Sequence, residues 1–123
     1  MKRTEEFDLP YPVSLNQAYR AWNNRVVKSA EARAYEEKVL DNLIMLRLNS
    51  FNEDRLKVTV TAYMPDKRRR DLSNLDKVLM DSLEKGGLFN NDEQIDDLRF
   101  IRAGVCKPGR VRIKIENIPE KKK

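Results

Sequence analysis

From Leu56 to Met64 the chain alternates apolar and polar residues without a break, with Leu56, Val58, Val60, Ala62 and Met64 set against Lys57, Thr59, Thr61 and Tyr63. Successive side chains of a strand point to opposite faces, so this run predicts a half-buried strand with one dry face, closed by Pro65. Shortly afterwards the spacing changes from two to three and four. Leu75, Val78, Leu79, Ser82 and Leu83 fall on one side of a helix predicted from about Ser73 to Lys85, with Gly86-Gly87 as its stop. Each of these elements has one apolar side that needs covering, and the rest of the chain supplies more of both kinds. Thr4 to Leu9 reads as a short strand stopped by Pro10 and Pro12. A helix follows from Ser29, its N-cap, with Tyr35, Val39, Leu43 and Leu46 recurring and Leu40 and Ile44 widening the stripe. Ile95 to Ala103 and Arg110 to Glu116 read as two more strands, joined through Lys107-Pro108-Gly109. Ser14 to Lys28 lacks such a period and reads as a polar loop carrying Asn16, Arg20, Trp22, Asn23, Asn24 and Arg25, of a length usually reserved for binding. The order β-α-β-α-β-β predicts an α+β fold: a single small domain with a mixed β-sheet packed with two main helices.

The 123 residues fit one domain, and 40% hydrophobic content fills one modest core. The charged fraction is 37%, well above the usual share of about 25%, so much of that charge must lie on a large solvated surface. A small core of this kind gains from burial between two copies. The net charge of +5 favours an acidic partner such as nucleic acid without singling one out. There is no histidine, and Cys106 is the only cysteine. An internal disulfide is impossible, a Cys/His zinc site has no basis, and Ser–His or Cys–His nucleophile pairs are excluded. Any hydrolytic chemistry therefore falls to carboxylates, lysine and a hard, oxygen-loving cation. No apolar run is long enough for a membrane span and residues 1–20 lack the apolar core of a signal peptide, so a reducing, cytoplasmic compartment is expected.

The chemistry-bearing residues concentrate between 65 and 97. Lys67-Arg68-Arg69-Arg70 stands directly against Asp71, and Asp92-Glu93 with Asp96-Asp97 follows the Gly86-Gly87 stop. Cations beside carboxylates point to a polyanion held by Lys and Arg while a carboxylate-bound cation acts on it, with phosphodiester cleavage as the candidate reaction. If the helix folds Asp92 back near Asp71, Mg²⁺ suits the pair, and Lys77 is placed to neutralise charge building on a phosphate. Free N–H groups at the helix start near Ser73 would face the same anion. Plainer readings stand beside these. Ser73-x-x-Asp76 has the form of a capping box, the basic run that of a solvated turn, and Asp92 to Asp97 that of an ordinary acidic turn. Tyr19 and Trp22 serve equally as packing residues or as stacking platforms.

Met64-Pro65-Asp66-Lys67-Arg68-Arg69-Arg70-Asp71-Leu72-Ser73-Asn74-Leu75-Asp76-Lys77 resembles the signature of the RusA family of Holliday junction resolvases, where an Arg-rich turn precedes Asp-x-Asp-Asn and a lysine. The likeness continues through Asp81-Ser82-Leu83 and Gly87-Leu88-Phe89 into Asn91-Asp92-Glu93-Gln94-Ile95, and upstream through Leu9 to Ser14, Asn16, Tyr19, Arg20, Ser29-Ala30-Glu31 and Tyr35. The resemblance implies a homodimeric endonuclease domain over 1–117 with a basic tail at 118–123, in a bacterial or phage setting. It implies resolution of four-way DNA junctions by paired symmetric nicks with Mg²⁺ or Mn²⁺, in recombination and repair. Asp71, Asp92 and Lys77 take the catalytic positions, and Asp71, Asp92 and Ser73 the metal positions. Lys67, Arg68, Arg69, Arg70, Asn74, Asn16 and Arg20 are the DNA-binding candidates. Ser73 departs from the pattern, since the family usually has a second aspartate there, and Asn91 stands where an acidic residue can precede the downstream aspartate. The departure keeps open a non-catalytic junction-binding protein, and the basic character a general RNA-binding or interaction module.

Overall fold

The strand expected at residues 56–64 lies inside the sheet, hydrogen-bonded to a neighbour on each side. The computed structural model describes residues 2–13, 18–22 and 25–119, with backbone alone for Arg20 and Trp22. In chain order the elements are β1 (Thr4–Pro10), β2 (Tyr19–Trp22), β3 (Arg25–Lys28), α1 (Ala30–Met45), β4 (Leu56–Met64), a 3₁₀ turn (Leu72–Leu75), α2 (Asp76–Lys85), a second 3₁₀ turn (Asp92–Gln94), β5 (Ile95–Val105) and β6 (Arg110–Asn117). The main sheet runs β1-β6-β4-β5. β6 is antiparallel to β1 and to β4, whereas β5 lies parallel to β4 with Ile95 opposite Leu56. A parallel neighbour requires a crossover, and α2 supplies it. β5 and β6, adjacent in sequence, flank β4 instead of pairing. Their connection passes the end of β4, where the Cys106 N–H donates to the Met64 carbonyl at 2.8 Å. Gly109 takes φ +92° there, and a Cβ on it would stand 2.9 Å from the Pro65 side chain.

One sheet face holds the core. Leu56, Val58, Val60, Ala62 and Met64 are buried along β4, with Val111, Ile113 and Ile115 beside them on β6 and Phe7 and Leu9 on β1. Ala32, Tyr35, Val39 and Leu43 of α1 and Val78, Leu79, Met80 and Leu83 of α2 join the same cluster. Burying each large apolar side chain contributes about 1.5–3 kcal/mol, so the alternation of β4 alone goes far towards deciding which way the sheet faces. Ser82, fully buried, is satisfied by donating to the Val78 carbonyl at 2.7 Å. The opposite face is polar: Arg112 reaches Glu6 and Asp8 at 3.1 Å each, and Arg110 reaches Asp8 at 3.2 Å. No described helix is long and apolar enough to cross a membrane.

The expected α+β class, mixed sheet and two main helices stand, with four corrections. Ser14 to Lys28 is not all loop, because Tyr19–Trp22 and Arg25–Lys28 pair antiparallel, Tyr19 opposite Lys28. Tyr, Trp and two Val residues around Asn23-Asn24 are strand formers around a turn pair, a hairpin signal that the surrounding polarity hid. On α1, Leu40, Ile44 and Leu46 are exposed, so the stripe is Ala32, Tyr35, Val39 and Leu43. Ser29 caps α1 as expected, accepting the Ala32 N–H at 3.2 Å. Ser73, by contrast, is no N-cap: it lies inside the 3₁₀ turn, with Asp71 before the turn and Leu75 before α2. A 3₁₀ turn places residues three apart on one side, which brings Leu72 and Leu75 together onto the core. Pro10, finally, belongs to β1 as its last residue, opposite Arg110, on an edge strand where its missing N–H costs no ladder bond.

Candidate active site at the basic turn and second helix

The chain leaves β4 at Met64 and turns at once around Asp66. Its carboxylate accepts the Arg68 backbone N–H at 3.0 Å and the Arg70 guanidinium at 2.9 Å. The Arg70 hydrogen bond, then that from Arg68, holds the Asp66 carboxyl below its usual pKa. Arg70 also lies 6.0 Å over the Tyr11 ring, and its carbonyl accepts from the Arg102 guanidinium. The four cations therefore divide. Arg70 is turned inward as a clamp, whereas Lys67, Arg68 and Arg69 are exposed. Arg68 keeps an exposed contact to Asp66 at 3.3 Å, and Lys67 and Arg69 have no ion pair among the described residues.

Asp71 is exposed, and its carboxylate makes no hydrogen bond or ion pair among the described residues. Ser73 is exposed beside it, and Asn74 is half-buried with its N–H on the Asp71 carbonyl at 3.1 Å. That bond and the Asp76 N–H to Ser73 carbonyl bond occupy donors that were expected to face an anion. Lys77 lies 3.6 Å from Asp81 and 5.5 Å over the Tyr19 ring, while the Tyr19 hydroxyl donates to Asp81 at 3.2 Å. Asp81 first, then Tyr19, raises the Lys77 pKa, so this lysine serves as a cation and not as a base. Tyr19 is thus a packing residue whose face Lys77 covers. Asn16 lies outside the described residues, as do the Arg20 and Trp22 side chains.

Asp92 is exposed in the second 3₁₀ turn, and its N–H is tied to α2 by the Glu84 carboxylate at 2.9 Å. The rest of that acidic run is engaged locally: Glu93 and Asp96 pair with Arg55, and Asp97 with Arg99. Asp92 acts on Asp76, half-buried, whose pKa is raised by desolvation first, then by Asp92 and Asp81. Asp76 makes no hydrogen bond or ion pair among the described residues and caps nothing. Its capping-box position masked it in the sequence; the clue available was a carboxylate one helical turn from Met80 in a segment rich in them.

Among the described residues no three Asp, Glu or Cys side chains converge as a ready metal cage. The donors nevertheless suit a hard cation, since Mg²⁺ takes one or two carboxylates and completes its shell with water and substrate phosphate. Asp76, pressed by two like charges that Lys77 only partly opposes, is the local feature that a cation would relieve. A cavity of about 300 Å³ bounded by Arg33, Glu36, Leu40 and Lys85 lies on the α1 side, away from these carboxylates.

Comparison with known proteins places this arrangement. A family model described as Endodeoxyribonuclease RusA matches residues 10–116. The crossover junction endodeoxyribonuclease rusA of Enterobacteria phage HK97 is 41% identical over 113 residues, covering 92% of this chain and 94% of the phage protein. The crossover junction endodeoxyribonuclease RusA of Escherichia coli K12 is 37% identical over 112 residues, covering 91% and 93%. The same identity, over 112 residues, links the chain to the crossover junction endodeoxyribonuclease rusA of Enterobacteria phage 82. With the basic turn, the following aspartate and the downstream acidic turn all inside the matched span, the chain belongs to the RusA endodeoxyribonuclease family.

Proposed function

We propose that the chain is a crossover junction endodeoxyribonuclease that binds four-way DNA junctions and cuts them by paired nicks, as a homodimer loaded with Mg²⁺ or Mn²⁺. The observation that carries this reading is the outward-facing Lys67, Arg68 and Arg69 shortly before Asp71, whose carboxylate has no partner among the described residues, within a span matching RusA endodeoxyribonuclease. Lys67, Arg68 and Arg69 hold backbone phosphates, with Asn74, Asn16 and Arg20 as further DNA contacts. Lys77, kept protonated by Asp81, sets a positive charge against the phosphate under attack. Asp71, Asp92 and Asp76 would hold the cation, with the Ser73 hydroxyl as a neutral fourth donor. Such an ion, when bound, supplies charge neutralisation at the phosphate and a more acidic water. The relatives named above come from bacteria and phages, so the reaction belongs to recombination and repair in a bacterial cytoplasm.

One feature favours a second reading, junction binding without cutting: Ser73 stands in the Asp71-Leu72-Ser73-Asn74 motif without a negative charge. A single assay separates the two. Nicking of a synthetic four-way junction and of a linear duplex is followed across a Mg²⁺ titration. The nuclease reading expects paired nicks in the junction alone, and only with metal. Junction binding with no nicking at any Mg²⁺ concentration would leave the binding protein.

A further inference from the structure

The turn that carries Asp92 is organised by a buried amide. Gln94 is 4% exposed. Its Oε1 accepts the backbone N–H groups of Asn90 at 3.0 Å and Asn91 at 2.9 Å, and its Nε2 donates to the carbonyls of Asn52 at 2.9 Å and Asp54 at 2.7 Å. A primary amide offers two acceptor and two donor directions, and all four are used. The segment 90–94 is thereby clamped to the segment just before β4. Asn91 completes a reciprocal cap by accepting the Glu93 N–H at 2.8 Å. From α2, Glu84 accepts the N–H of Asp92 itself. The Asp92 N–H is held from α2 and the backbone just before it by the Gln94 amide, while its carboxylate is exposed and makes no hydrogen bond or ion pair among the described residues. A carboxylate that must keep its oxygens for a ligand can be held in place only through its backbone and its neighbours. An apolar side chain at 94 would fill the same space but strand the Asn91 N–H and the Asp54 carbonyl, and leave the Asn90 N–H and the Asn52 carbonyl only their mutual bond at 3.2 Å.

We infer that Gln94 is a positioning residue: its four-bonded amide sets the place of the Asp92 carboxylate and thereby tunes cation affinity and nicking rate. The inference rests on Asp92 belonging to the site proposed above. The test uses full-length Gln94→Leu, Gln94→Glu and Asp92→Asn. Gln94→Glu keeps the shape and the two accepted bonds but sets an oxygen against two carbonyls. For both Gln94 variants the nicking rate at saturating junction should fall about 10–100-fold and the half-saturating Mg²⁺ rise by a similar factor, with metal-free junction affinity changed less than about twofold. Mn²⁺ binding followed by electron paramagnetic resonance should weaken in parallel, and hydrogen exchange at the Asn90 and Asn91 amides should speed up. A wild-type rate in either folded variant overturns the inference. So does junction affinity lost in step with rate, or unfolding of both variants, since Gln94 would then be structural alone. If Asp92→Asn nicks normally, the Asp92 assignment itself fails. If Asp92→Asn is inactive while both Gln94 variants behave as wild type, only the positioning role falls.

Discussion

At Asp76 burial and the charges of Asp92 and Asp81 oppose ionisation, and the smaller, opposing charge of Lys77 does not offset them. A carboxyl with a raised folded-state pKa contributes stability that is fully present below its unfolded value, here 3.8, and lost as pH rises through the folded value. Ionised Asp76 therefore costs stability at neutral pH. Asp76→Asn should melt above wild type at pH 7 and together with it near pH 3, and Mg²⁺ should raise the wild-type Tm more than the variant's. A variant that melts lower at pH 7 would contradict this account. Asp71→Asn and Asp92→Asn carry the proposed chemistry more directly. Each should abolish junction nicking while junction binding stays equal or tightens, because a negative charge near the phosphates is removed; wild-type cleavage by Asp71→Asn would remove it from the site. At Ser73 the capping alternative is gone, so Ser73→Asp tests a ligand role alone. Faster cleavage at low Mg²⁺ is expected, and unchanged kinetics over the whole titration would exclude Ser73.

The basic turn shows how one element divides residues that look alike in sequence. Lys67, Arg68 and Arg69 face solvent, whereas Arg70 is bonded to Asp66 and lies over the Tyr11 ring. Each phosphate neutralised releases counterions, so log affinity should fall with log salt by about 0.9 per contact. Alanine at 67, 68 or 69 should each lower that slope by up to about one. Arg70→Ala should leave the slope nearly intact and instead lower Tm, since its clamp on the turn is lost. Equal slope changes at all four positions would mean that the turn opens when DNA binds. Helix α2 works the same way in reverse: its buried face, Leu75, Val78, Leu79 and Leu83, was legible from spacing, whereas the 3₁₀ entry was not. That entry follows from how Leu72 reaches the core after Pro65, a packing matter on which helical period is silent.

At the scale of the whole molecule, one chain presents one set of carboxylates while a four-way junction needs two symmetry-related nicks. A two-fold dimer supplies both from one sequence, and closed two-fold dimers are the commonest oligomers. The outer strand β5 leaves Leu98, Ile101 and Val105 exposed, and α1 leaves Leu40, Ile44, Met45 and Leu46, apolar surface available for burial between copies. Light scattering at micromolar protein should give about twice the 14.5 kDa chain mass. A strict monomer that still makes paired nicks in one binding event would refute the dimer.

Strand and helix identities were written locally. A period of two at Leu56–Met64 and of three to four at Leu75–Leu83 needs only its own segment, because each period follows from backbone geometry. The absence of histidine likewise excluded whole classes of catalysis without a fold, and the run from Met64 to Lys77 pointed to the RusA family unaided. Tertiary structure decided what depends on which faces meet. It set β4 between β5 and β6, paired Tyr19–Trp22 with Arg25–Lys28, and turned Arg70 away from its three basic neighbours. It also brought Asp92 to Asp76, through a crossover helix whose length and a turn whose buried amide together set the approach. Charges on separate segments acquire their partners only when the core beneath them has packed, and sequence spacing holds no measure of that distance.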